Sequence, residues 1–104
     1  MRRLILKRAY LDLVASGSKR STIRLGTKAD HVGPTLLVAG DKTIPVEVIQ
    51  VVLKRYSQLD EEDARLDGFA DLEALRQALE SFYPALGPED SLSILHFRLV
   101  SAAA

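Results

Sequence analysis

Residues 17 to 24 read Gly-Ser-Lys-Arg-Ser-Thr-Ile-Arg, so two hydroxyls, Ser21 and Thr22, stand among the cations Lys19, Arg20 and Arg24. A lysine within hydrogen-bond reach of a threonine hydroxyl can act as its base once burial or neighbouring cations lower the lysine pKa. Arg20 and Arg24 are such cations. The bland alternative is a solvated basic turn whose threonine serves strand propensity. A phosphate-binding loop of the Gly-Lys-Ser/Thr type is absent, because Lys19 is followed by Arg20. In an extended backbone side chains alternate, which puts Arg20, Thr22 and Arg24 on one face and Ser21 and Ile23 on the other. Ile23 belongs in a core, so the first face turns toward solvent or a cleft. Lys19 falls on the Ser21 side and meets Thr22 only if the turn after Gly17 rotates it there.

These residues need a helix that stops before them and a strand that carries them. Arg8 to Ser16 fits the helix, burying Tyr10, Leu13 and Val14 at helical spacing, and Gly17 can take the left-handed conformation that closes it. Leu4 to Leu6 reads as a short buried strand and Ser21 to Leu25 as a second. Residues 26 to 33 have no periodicity and read as a loop. Thr35 to Ala39 and Lys42 to Arg55 are strands around a Gly40-Asp41 turn. Pro45 lacks a donor, which implies an edge position or a bulge near the start of the second of them. Asp60 to Leu66 is a short acidic helix, with Gly68 as its stop. Asp71 caps the strongest helix, where Leu72, Leu75, Leu79 and Phe82 repeat at helical spacing. Ser91 to Val100 is a last strand, with Leu95, Phe97 and Leu99 on one side and Leu92, Ile94 and Val100 on the other. Strands open and close the chain without regular strand-helix alternation, which favours a small barrel or α+β sheet over a doubly wound one.

Bulk properties narrow the function. A chain of 104 residues, 47% hydrophobic, builds one core. It reads as a single domain over residues 1 to 101 with residues 102 to 104 as a frayed tail. No run of about 18 apolar residues exists and the apolar part of the N-terminus is too short for a signal peptide, so a cytoplasmic protein without membrane attachment is expected. The absence of cysteine excludes disulfides, thiolate catalysis and cysteine-based zinc sites. His31 and His96 are too few to suggest a metal, and no cofactor is indicated. The net charge of zero hides an asymmetry: residues 1 to 28 carry +7 and residues 57 to 91 carry −8. Either the basic segment forms a face that attracts a polyanion, or the two segments neutralise one another.

The run "LKRAYLDLVASGSKRSTIR", residues 6 to 24, resembles the ASCH domain, a PUA-like family whose members begin with a strand, a helix ending in "SG.K" and a "TIR" strand. The segment "LDEEDARLDGFADLEALRQALESFYP", residues 59 to 84, is similar to the family's acidic stretch, and a hydrophobic strand containing Phe97 follows. The resemblance implies a mixed α+β fold, a small β-barrel with helices packed around it, and a cleft at the "K..TIR" segment that holds RNA or a nucleotide-like ligand. Some small bacterial members are amidohydrolases that deacetylate 4-acetylcytidine, using the lysine of "SG.K", the threonine of "TIR" and the glutamate before "Gf". By position these fall on Lys19, Thr22 and Asp67. The third is one methylene shorter than glutamate, and a misplacement near 1 Å can cost about a hundredfold in rate.

Two functions therefore compete for the same residues. In the binding reading, the cations Arg2, Arg3, Lys7, Arg8, Lys19, Arg20, Arg24 and Lys28 meet phosphates of RNA while Thr22 and Asp67 read a base edge, Ser21 is a further ligand-binding residue, and Tyr10, Tyr56 and Tyr83 are the stacking candidates. In the hydrolytic reading, Lys19 activates either Thr22 or water for attack on an acetyl carbonyl, Arg24 or backbone amides stabilise the oxyanion, and Asp67 helps protonate the leaving nitrogen. Binding is placed first because of the aspartate and because fold analogy does not fix activity. The acidic helix could instead serve a protein partner. His31, beside Asp30 in the loop, could border the cleft, and His96 reads as a barrel histidine.

Overall fold

Apolar stretches rich in valine, isoleucine and leucine form five strands, and the helical spacing of leucines forms the longer helices. The computed structural model describes residues 1 to 100, so the trailing residues 102 to 104, expected to fray, lie outside the described residues. The elements run β1 (Arg2–Ile5), α1 (Arg8–Ser16), β2 (Ser21–Leu25), β3 (Gly33–Ala39), β4 (Lys42–Arg55), a 3-10 turn (Tyr56–Gln58), α2 (Glu61–Leu66), α3 (Leu72–Phe82) and β5 (Ser91–Leu99).

The strands make one curled, half-barrel sheet in the order β1-β3-β4-β5-β2, the mixed α+β architecture expected. Among the described residues only the β1–β3 pair is parallel. The ladder leaves β1 and β2 as its two edges, and between them lies a seam. Arg24 of β2 spans it, donating through Nη2 to the Ile5 carbonyl of β1 at 2.9 Å. The edge position or bulge expected at Pro45 is not found, since β4 lies between β3 and β5; the proline stands instead just outside the β4–β5 ladder. Its carbonyl accepts from Val100 N on the β5 side, so its donor-less nitrogen also faces that side, just before the β4–β5 ladder begins at Val46. The bulge lies further along, between Val48 and Gln50.

The sheet divides the core. Leu95 and Phe97 of β5 enter one cluster with Leu37, Val46 and Val48 and with Leu11 and Val14 of α1. Leu92 and Ile94, on the other face, pack with Ile23, Ala64 of α2, and Leu75 and Leu79 of α3. One strand thus serves two apolar layers, which is why its run Leu92–Leu95 is buried without alternation. Three further expectations need correction. β1 begins at Arg2 and alternates half-buried with exposed residues, because it is an edge strand and not a buried one. Helix α1 buries Leu11 with Val14, leaving Tyr10 and Leu13 half-buried, since Tyr10 faces the seam. Phe82, at the last position of α3, is 44% exposed, having run beyond the sheet that covers Leu75 and Leu79.

Candidate functional site

Three local constraints bring Lys19 to Asp67. Gly17, at φ +86°, ends α1, and the next two amides, of Ser18 and Lys19, both donate to the Leu13 carbonyl, which reverses the chain. Arg20 N then donates to the Leu66 carbonyl at 2.7 Å, tying this turn to the end of α2, where Asp67 is the cap. Gly68 permits the approach. Its φ is +92°, and a Cβ there would stand 3.2 Å from Lys19 Cβ and 3.3 Å from Leu13 Cδ1.

The result is a buried ion pair. Lys19 Nζ donates to Asp67 Oδ1 at 2.8 Å and to the Asp67 carbonyl at 3.1 Å, and Ser21 Oγ donates to the same Oδ1 at 3.2 Å. Lys19 and Asp67 are only 4% and 5% exposed. Burial lowers the Lys19 pKa against the attraction of Asp67, and Arg24 adds to the lowering. Burial pushes the Asp67 carboxyl up, although Lys19, Ser21 and Arg24 all favour its charge. Desolvation therefore works against both charges at once.

Thr22 and Arg24 share the next face of β2, with Arg24 Nε donating to Thr22 Oγ1 at 3.3 Å. They border a cleft of about 250 Å³ at the seam, together with Lys19, Asp67 and Lys7. The opposite wall is apolar: Tyr10 packs edge-on against Phe69 and Phe82, at 5.8 and 6.2 Å between ring centroids. Lys7 Nζ lies 4.8 Å from the centre of the Phe82 ring and Lys19 Nζ 5.5 Å from that of Tyr10. Tyr83 closes one end, its hydroxyl accepting from Leu25 N at 3.4 Å.

Of the candidate binding, catalytic and stacking residues read from the sequence, Lys7, Tyr10, Lys19, Thr22, Arg24, Asp67 and Tyr83 meet at this cleft. The others do not line it. Ser21 is fully buried behind Asp67, which it supports. Arg20 precedes β2, its carbonyl accepting from Phe97 N at 3.0 Å, and its exposed side chain borders two other hollows near Leu66. Arg8 is exposed and pairs with Asp12 along α1 at 3.7 Å. Tyr56 turns away to bond Glu80 of α3. No hydrogen bond joins Lys19 to Thr22 among the described residues, because the ammonium is engaged by Asp67. Phe69 and Phe82 were missed as wall residues: Phe82 fits the helical core stripe, and nothing around Phe69 marks it. Among the described residues no three histidine or carboxylate side chains converge as they would to hold a metal ion.

The model of the ASCH domain family matches residues 3–101 of this chain. Among solved structures it is similar to an ASCH domain from Lactobacillus crispatus, at 20% identity and a TM-score of 0.78 over 94% of this chain and 79% of that one. A hypothetical protein, PH0355, is similar at 15% identity and a TM-score of 0.71, with 96% and 100% of the two chains covered. A protein from Enterococcus faecalis is similar at 16% identity and 0.66, covering 90% and 68%. At these identities the structural likeness establishes the fold. No curated protein matches the sequence.

Proposed function

This chain belongs to the ASCH domain family, and on that premise we propose that the seam cleft binds a nucleoside, either a base of RNA or a free modified nucleoside, in the cytoplasm. One observation carries the reading. A concave site of nucleoside size combines an aromatic wall with a small convergent polar set, Lys19, Thr22, Arg24 and Asp67, and such pairing is the hallmark of a small-molecule site. The wall suits the face of a base, and Asp67 and Thr22 suit its polar edge.

A second reading, deacetylation of 4-acetylcytidine, is favoured by the lowering of the Lys19 pKa by burial. Because Arg24 already donates to Thr22 and Lys19 turns to Asp67, the version in which lysine activates water fits better than a threonine alkoxide. Neutral Lys19 takes a proton from water, hydroxide adds to the acetyl carbonyl, the C–N bond breaks, and the exocyclic nitrogen leaves with that proton. The products are acetate and cytidine. Incubation with 4-acetylcytidine, followed by chromatography for cytidine, decides between the readings. Turnover lost in Lys19→Ala, with kcat/KM rising with pH and levelling off below the ordinary lysine value of 10.5, establishes the hydrolase. Saturable binding without turnover leaves the binding module, and neither binding nor turnover overturns both.

A further inference from the structure

At one end of the sheet the buried face turns from apolar to basic. In the ladders Leu4 stands opposite Leu37 and Thr22 opposite Leu95; two residues along, on the same face, Arg2 stands opposite Thr35 and Arg24 opposite Ser93. Thr35 and Ser93 are fully buried. The loop between β2 and β3 folds over this end. Lys28 N donates to Ser93 Oγ at 2.8 Å, Arg2 Nη2 donates to the Asp30 carbonyl at 3.1 Å, and His31 N donates to the Lys28 carbonyl at 2.9 Å.

This places the His31 imidazole among Arg2, Lys28 and Arg24. Its Nδ1 is buried and has no hydrogen-bond partner among the described residues. The carboxylate nearby is Asp30, with Oδ1 3.8 Å from Nε2 and a side chain 87% exposed. Burial, then Arg2, and further Lys28 and Arg24, hold the imidazole below its ordinary pKa, with Asp30 opposing. Three cations and an unsatisfied ring nitrogen thus face one solvated carboxylate, an arrangement that lacks an anion. Guanidinium forks match the oxygens of a phosphate, and Arg24 belongs both to this corner and to the cleft.

We infer that Arg2, Lys28 and His31, beside Arg24, form a phosphate subsite, so that the cleft takes a nucleotide in preference to a nucleoside. The inference rests on the cleft's being a nucleoside site. The Lys28 ammonium and the Arg2 guanidinium donate to the phosphate oxygens, and the His31 ring lies beside them. The phosphate can come from a 5′-monoester or from the 3′ linkage of a strand, and the two isomers of cytidine monophosphate separate these sources.

Calorimetric titration with cytidine, cytidine 5′-monophosphate and cytidine 3′-monophosphate tests it. One of the two nucleotides is expected to bind about tenfold more tightly than cytidine, as one charge-assisted contact warrants. Lys28→Ala brings that nucleotide to within about twofold of cytidine while leaving cytidine itself unchanged, and Lys28→Arg keeps the preference. In the native protein the nucleotide also raises the pH at which the His31 ring resonances titrate, because an anion favours the imidazolium. Equal affinity of the native protein for all three ligands overturns the phosphate subsite and leaves the cleft reading intact. Binding of none of them removes the cleft reading and the subsite with it.

Discussion

Lys19 and Asp67 show what a single backbone position can decide. Each is nearly inaccessible to water, and their pairing survives because the backbone delivers them together with Ser21 as a third partner. Gly68 is the position on which that delivery turns. Gly17 has an equally positive φ, yet nothing lies within 4 Å of where its Cβ would be, whereas a Cβ at Gly68 meets Lys19 and Leu13. Alanine at either site meets left-handed strain, and at Gly68 it also displaces the lysine. Gly68→Ala is therefore expected to cost about 1–3 kcal/mol, more than Gly17→Ala, in urea unfolding. An equal or smaller loss at Gly68 would show that the turn is not tightly seated against Lys19.

At the scale of elements, α2 is held by its caps and by β4. Asp60 and Asp63 form a reciprocal capping box, each side chain accepting from the other's amide. Lys54 of β4 then donates to Asp63 Oδ2 at 2.7 Å and lies 3.5 Å from Asp60 Oδ2. The hydrogen bond to Asp63, with the charges of both aspartates, raises the Lys54 pKa above 10.5 in spite of partial burial. A raised lysine pKa means that the folded state holds the proton more firmly than the unfolded chain. Its stabilisation is complete below pH 10.5 and is lost as pH climbs through the higher folded value. The stability difference between the native protein and Lys54→Met should be flat from neutrality to about pH 10 and shrink above it. A difference already shrinking near neutrality contradicts the pairing.

Much at this scale was legible in the sequence. Asp71 caps α3 through Ala74 N, Gly17 closes α1, and β2 and β4 have the bounds that their residues imply, because each depends on local chemistry. What stayed hidden depends on neighbours distant in the chain. Whether β1 is buried or an edge follows from which strand joins it, and Arg20 borders hollows near Leu66 and not the cleft because the end of α2 packs beside it. The alternation of β2 foresaw that Thr22 and Arg24 share a face, but not that Arg24 also spans the seam to Ile5. The joining of residues 19 and 67 came from the family resemblance, since no local pattern links positions 48 apart.

For the whole molecule, the two oppositely charged segments do not neutralise one another through ion pairs. Among the described residues the Lys19–Asp67 bridge alone joins the basic first segment to the acidic one. The other acids of the acidic segment that form bridges, Asp60, Asp63 and Glu89, meet Lys54 and Arg55 of β4. Among the described residues Arg2, Lys7, Arg24 and Lys28 have no bridging carboxylate, and Lys7 and Arg24 border the cleft. An imperfectly closed sheet, spanned by one arginine, supplies the concavity that full closure would have filled. The most direct test is to titrate the protein with 4-acetylcytidine or cytidine and follow its NMR resonances. The largest shifts are expected at Tyr10, Phe69, Phe82, Tyr83 and Thr22, and they should vanish in Lys19→Ala. Shifts confined to the hollows around Arg20 and Arg98, or none at saturating ligand, would contradict the account.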